Sequence, residues 1–343
     1  MESQPRQSLS FWLFKLLRGL WKGFVFLCKV LLITWLTLAI YYSRLPWSWM
    51  RLVLALAFMA FSIWAFWFTR RSRMYFVFAA LALVVLIYFL SLQPSHNRNW
   101  RTDVAVMPRV TIDGDLVRIT DVRNFEYRTA SDFTVRYEDR EVLVSHLTSV
   151  DFFISYWMPG PVAHTFVSFN FNNAPPLCVS IEARPEVGKS FSPVPSMFRK
   201  FDLIYVVGDE RDIVKLRTNF RHEDVFLYKL NVSPESARAL FLVYLDRINQ
   251  LADRPEFYNL LTSNCTLNII RYARAVGKPT RFDIRYLLNG LMDRYLYSRG
   301  YLDTNLPFDE LRQRSLINNA AQAAGDSPDF SHLIRANLPS RHQ

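Results

Sequence analysis

Acidic residues are nearly missing from the first quarter of the chain. Glu2 is the only one among residues 1–92, set against Arg6, Lys15, Arg18, Lys22, Lys29, Arg44, Arg51, Arg70, Arg71 and Arg73. Of the net charge of +11, that stretch holds +9 and the rest of the chain only +2. This placement excludes a polyanion-binding face as the source of the basicity, and no nucleic-acid partner is expected. Cysteine is scarce too: Cys28, Cys178 and Cys265 make no disulfide framework, although a Cys178–Cys265 bridge competes with the lone-thiol reading. His146 and His222 lie in charged or polar surroundings without ligand spacing, so neither a metal nor another cofactor is implied. There is no internal repeat and no low-complexity tract.

What the first quarter has instead is apolar length. Residues Phe24–Tyr42, Leu52–Phe68 and Tyr75–Leu92 run almost unbroken in Leu, Ile, Val, Phe, Ala and Trp. Each approaches the ~20 residues needed to cross hydrocarbon and none has the polar stripe of a soluble helix, which predicts three transmembrane helices. The first span runs into Tyr41, Tyr42, Ser43 and Arg44, not the small residues of a cleavage site, so it stays attached. Lys29, close to one end, reads as a side chain that snorkels to the headgroups. Basic residues flank the first span's start and fill the second loop. Retention of Lys and Arg on the cytoplasmic side then predicts a multi-pass inner-membrane protein with a cytoplasmic amino terminus and a periplasmic carboxyl-terminal domain.

The expected organisation is a membrane anchor over 1–92, a linker over 93–109, a folded domain over 110–320 and a weakly ordered tail over 321–343. Val110–Thr120 alternates around Asp113 and Gly114, a hairpin signal. Strand-like runs follow at Phe133–Tyr137, Glu141–Ser145, His164–Phe171, Leu177–Ala183, Leu203–Val207, Ile213–Thr218 and Val225–Leu230, predicting an antiparallel sheet. Ser233 caps one helix with Pro234 at its first position, and a second opens at Asn264 and Cys265 and stops at Gly277 with Pro279 beyond. The fold class is therefore α+β.

Cys265 sits where unpaired helix-start amides and the macrodipole favour a thiolate, the usual preparation of a cysteine nucleophile. A small buried packing residue is the alternative. His164 begins a strand, and a hairpin turn centred near Asn173 sets Glu182 opposite it on one face. A carboxylate there fixes the imidazole tautomer and supports the imidazolium. Ser180, two residues from Glu182 on the same face, is the competing third member. Arg211, Arg217 and Arg221 stand among acids and read as surface pairs.

The order His, acid, Cys at a helix start is reversed from papain, and the NC dipeptide opening a helix after a strand that begins with His resembles the lecithin retinol acyltransferase and NlpC-type group. The segments NFEYRTASDFTVRYEDR, VDFFISYW, AHTFVSFNF, VSIEARPEVGKSFSP, DLIYVVGDERDIVKLRT and FYNLLTSNCT, spread over Asn124 to Cys265, resemble the Lnb N-terminal periplasmic domain family. That resemblance implies a permuted papain-like thiol fold, with Cys265 as nucleophile, His164 as base, and Glu182 and Asn264 at motif positions. Its namesakes are lipoprotein N-acyltransferases, so the implied activity is acyl transfer through a thioester at an outer membrane face. Backbone amides at the start of the Cys265 helix, with Asn264, would form the oxyanion hole. The implied partners are membrane lipids and lipoproteins or other acylated substrates; no oligomeric state is specified. A papain-like peptidase or amidase of the envelope and a non-catalytic binding module are the alternatives. The three spans lie outside the shared domain, so the substrate does not follow from the fold.

Overall fold

The computed structural model of the chain describes residues 9–69, 71–277 and 281–339, so Arg6, Arg70 and Pro279, used in the sequence reading, lie outside the described residues. The chain divides into two compact units, residues 1–93 and 94–343. The first unit holds helices α1 (Leu9–Tyr41), α2 (Ser48–Ile63, continued by a wider-turned π segment to Phe68) and α3 (Arg73–Ser91). All three are long and apolar enough to cross a membrane. Ile33, Leu36, Phe58 and Phe78 are buried between them, and Phe66 meets Phe78 edge to face at 4.8 Å. Large apolar side chains such as Trp21, Phe76 and Val84 point outward, an arrangement stable only in an apolar surrounding. Lys29 has an aromatic partner beyond any headgroup: its ammonium lies 4.9 Å from the centre of the Phe66 ring.

The second unit is built on a sheet. Its strands are β1 (Arg109–Asp113), β2 (Leu116–Arg123), β5 (Tyr137–Leu143), β6 (Leu147–Tyr156), β7 (His164–Phe171), β8 (Leu177–Arg184), β9 (Asp202–Gly208) and β10 (Asp224–Lys229); β3 (Glu126–Tyr127) and β4 (Phe133–Thr134) form a small separate pair. Among the described residues the main sheet runs β1-β2-β9-β8-β7-β6-β10, with β5 on the far side of β2. The predicted hairpin over Val110–Thr120 is β1 and β2, turning at Gly114 with φ +59°. Helix lengths and caps follow the sequence signals. After α4 (Pro193–Ser196) and α5 (Glu210–Lys215) comes α6 (Pro234–Asp253), capped by Ser233 with Pro234 at its start, and then α7 (Cys265–Ala275), capped by Asn264. The chain ends in α8 (Met292–Ser298), α9 (Phe308–Ser315), α10 (Asn318–Ala324) and α11 (Phe330–Leu333). Phe169 and Phe171 pack against Phe241 and Tyr244 of α6 on one face of the sheet. The other face buries Phe153, Phe166 and Cys178 in the cluster that holds Ala321, Phe330 and Ile334. The unit is thus α+β, as its pattern of elements implies.

Five expectations need correction. The sheet is not wholly antiparallel, because Arg123 pairs with Gly208 in parallel. A Cβ at Gly208 would stand 2.7 Å from the Arg123 carbonyl oxygen, so only glycine admits that approach. Ile213–Thr218 is helical, not extended: the Asp209 carboxylate accepts from the Arg211 N–H at 2.9 Å and starts α5, which passes into a π segment over Leu216–Phe220. Capping and burial override the β-branched composition there. β6 has no counterpart in the predicted strands because it is buried on both faces and so lacks alternation.

The segment expected as a linker belongs to the second unit. Ser95 N–H donates to Asp202 at 2.8 Å, Trp100 bridges to Glu186 and lies under the Arg184 guanidinium at 4.6 Å, and Val104 is buried. The segment expected as a weakly ordered tail is packed over 321–338. Arg335 donates to both carboxylate oxygens of Glu210 at 2.6 and 2.7 Å and to Asp151 at 2.9 Å, and both acids are fully buried. Its short apolar groups gave no periodic stripe, and the partner carboxylates lie over 120 residues away in sequence. Replacing Arg335 by Ala leaves two buried carboxylates without their cation, and thermal or urea unfolding is expected to show a loss of about 3–5 kcal/mol.

Candidate active site

The starts of a helix and a strand meet to make the site. α7 starts at Cys265 because Asn264 accepts the Leu267 N–H at 2.8 Å, and β7 starts at His164. The residues one step further along each element tie the two starts together: the Thr165 and Thr266 hydroxyls lie 2.8 Å apart, both buried. The Asn264 side chain is also occupied at its other end, its amide nitrogen donating to Leu260 O at 2.7 Å and to Tyr286 O at 3.4 Å. It therefore works as the cap that aims the helix and not as a donor to an oxyanion, which corrects the expected assignment.

The strand register carries the next link. Phe166 pairs with Ser180 across β7 and β8, and the same register carried two residues on sets His164 opposite Glu182. The geometry joins the two competing acid-position residues in series. His164 Nε2 lies 2.7 Å from Ser180 Oγ, Ser180 donates to Glu182 Oε1 at 2.8 Å, and Nε2 is 3.9 Å from that oxygen. With Nε2 engaged, Nδ1 is the nitrogen left for the thiol.

Arg217 extends the chain behind Glu182, donating to Oε1 at 2.9 Å while its guanidinium lies over Phe166 at 5.0 Å. The sequence reading placed this arginine on the surface, yet it is buried. Three of its acidic neighbours in sequence are taken elsewhere, Asp212 by Arg123, Asp209 by Arg140 and Arg211, and Glu210 by Arg335, while Glu223 stays 3.9 Å from Arg217. Burial penalises the Glu182 charge, but Arg217 first and His164 next hold the carboxyl well below its usual range.

Cys265 lies on the buried side of a cleft of about 290 Å³, which His164, Glu182, Arg217 and Asn289 also line. Burial pushes the thiol up, but the His164 imidazole, by charge and by hydrogen bond, together with hydrogen bonds from Thr165, draws it down to about 6. Cys178, on the opposite face and free of any disulfide, is pushed up by burial, so the two thiols are chemically unlike. Asn289 is the residue that sequence reasoning missed. Its Nδ2 donates to Cys265 Sγ at 3.5 Å and its Oδ1 accepts from Ala163 N–H at 2.9 Å, one residue before His164. The only signal was the Asn289-Gly290 pair: a Cβ at Gly290 would sit 2.9 Å from the Pro161 carbonyl carbon, so the glycine lets this loop close on the site. Among the described residues no group of His, Cys, Asp or Glu is placed to hold a metal ion.

Residues 133–290 match the family model of the Lnb N-terminal periplasmic domain, an interval that contains all the site residues described above. No curated protein and no solved structure matches the chain.

A thiol drawn down to about 6 gains its thiolate as pH rises through that value. Alkylation of Cys265 by iodoacetamide, followed by peptide mass spectrometry, is expected to climb with a midpoint near 6. In His164→Ala the midpoint moves up by more than one unit, toward or beyond the ordinary thiol value of ~8.5. An unmoved midpoint rules out the imidazole as the cause.

Proposed function

Because this membrane protein carries an Lnb N-terminal periplasmic domain over residues 133–290, we propose that it is a membrane-anchored cysteine acyltransferase that works through a thioester on lipid-modified substrates such as lipoproteins. The observation that carries this reading is the buried Cys265 thiol, drawn down to about 6 beside an imidazole that is itself held by Ser180 and Glu182. A thiol that merely packs, like Cys178, is driven the other way by burial.

The chemistry follows from the arrangement. His164 takes the Cys265 proton, and the thiolate attacks the carbonyl carbon of an ester. The developing oxyanion accepts hydrogen bonds from Asn289 Nδ2 and from the first-turn amide of Cys265, which has no partner within its helix. Collapse breaks the C–O bond, and the imidazolium returns its proton to the leaving alkoxide. An acceptor amine then attacks the thioester, His164 removes its proton, and the thiolate departs. Ser180, Glu182 and Arg217 keep the ring oriented and the imidazolium compensated through both halves.

Retention of Lys15, Arg18, Lys22, Arg71 and Arg73 on the cytoplasmic side supports an amino terminus and a loop before α3 that lie in the cytoplasm. The second unit then faces the periplasm from the inner membrane, on the side where lipoproteins mature. No metal or organic cofactor enters these steps.

Incubating the full chain with a diacylated lipopeptide and, separately, with muropeptides tests the reading by mass spectrometry. Movement of an acyl group to the peptide α-amine without loss of mass is expected, absent in Cys265→Ala. Cleavage of muropeptides without acyl migration assigns the site to a peptidase or amidase instead. Asn289→Ala is expected to lower kcat by roughly a hundredfold while leaving Cys265 able to be alkylated.

A further inference from the structure

We propose that the Arg221 guanidinium binds an anionic group, phosphate or carboxylate, carried on the leaving-group side of the acyl donor. The inference rests on the acyl-transfer reading given above and names the donor's chemistry. The cleft at Cys265 borders a second cavity of about 600 Å³, and Glu182, Ala183, Phe191 and Arg221 line both. The inner half is walled by Trp157, Ile181, Phe191, Tyr258 and Leu260, which suits an acyl chain. The outer half adds Arg101, Thr102, Asp103 and Ser131, which suits a polar leaving group.

The charges along this groove are hydrogen-bonded to partners, with one exception. Arg217 is committed to Glu182, Arg101 to Asp103 through both carboxylate oxygens, and Glu223 accepts the Ser155 hydroxyl. Arg221 has Glu223 Oε1 at 3.8 Å, beyond hydrogen-bond distance, and among the described residues no acceptor lies within that distance of its guanidinium. A fork of N–H donors built for a bidentate anion therefore faces the groove unfilled.

Its base is fixed. Arg221 N–H donates to Leu216 O at 2.9 Å, closing the π segment, and His222 at φ +53° turns the chain so that Glu223 N–H reaches Arg217 O at 2.9 Å. Partial burial and the nearby Arg217 charge oppose the Arg221 cation, Glu223, Glu182 and Asp103 offset them only in part, and a bound anion relieves what is left. In the acylation step the thiolate bonds to the ester carbon, the C–O bond breaks, and the alcohol leaves with a proton from His164 and with its anion still paired to Arg221.

The full chain in a neutral detergent is given three donors with identical acyl chains: phosphatidylglycerol, a diacylglycerol hemisuccinate and diacylglycerol. Thioester on Cys265 is measured by intact mass over time. The parent is expected to prefer an anionic donor, and Arg221→Gln to lower that donor's rate relative to diacylglycerol by roughly tenfold to a hundredfold, with Arg221→Lys between the two. A preference for one anionic donor over the other separates phosphate from carboxylate. If the parent acylates Cys265 but Arg221→Gln leaves the donor ratio unchanged, the assignment to Arg221 fails while the acyl-transfer reading stands. If none of the three lipids acylates Cys265 while the diacylated lipopeptide does, the Arg221 assignment fails and the acyl-transfer reading stands; if the lipopeptide fails as well, both fall.

Discussion

The hydrogen bond between the Thr165 and Thr266 hydroxyls is the constraint on which the site depends. Each lies one residue past a reactive one, on elements whose sequence positions differ by 101. A strand start and a helix start have few fixed groups with which to recognise each other. Here two buried hydroxyls satisfy one another, so an error in docking α7 would leave both unpaired. The imidazole and the sulfur are brought together by this joint and the register of β7 on β8, which makes the separation of the pair insensitive to the loops between.

Behind the imidazole, the network solves the problem of keeping a carboxylate charged inside a protein. Glu182 has lost part of its water and regains the difference from Arg217, which in turn rests its flat face on Phe166. His164 stacks on the same ring, with centroids 5.8 Å apart. One phenylalanine thus sets the position of both the cation that stabilises the acid and the base that the acid supports. Ser180 transmits the orientation because Glu182 stands too far from Nε2 for a direct hydrogen bond.

The parts of this site legible in the sequence are those governed by short-range rules. The Asn264 cap marked where a helix opens, and a turn near Asn173 with a two-residue period set Glu182 across from His164. Arg217 and Asn289 were not legible, since each owes its role to partners fixed only by the finished fold. Arg217 stood among acids of which Asp209, Glu210 and Asp212 turned out to bind other arginines. Asn289 belongs to a loop with no periodic pattern. The same reasoning separates the elements of the fold: β7, β8, α6 and α7 announce themselves through alternation or caps. The doubly buried β6, the helical Ile213–Thr218 and the packed carboxyl-terminal helices are decided by tertiary contacts.

The loop that brings Asn289 to the sulfur also bears on the chemical ageing of the protein. An asparagine followed by glycine is prone to cyclise, when the glycine nitrogen attacks the side-chain amide carbon and expels ammonia. Here the Gly290 N–H is held by Pro161 O at 2.9 Å, and Asn289 Oδ1 is held by the Ala163 N–H. Both reacting groups are pinned apart by the contacts that build the site, so the fold shelters a fragile dipeptide at the place where a new carboxylate would repel the thiolate.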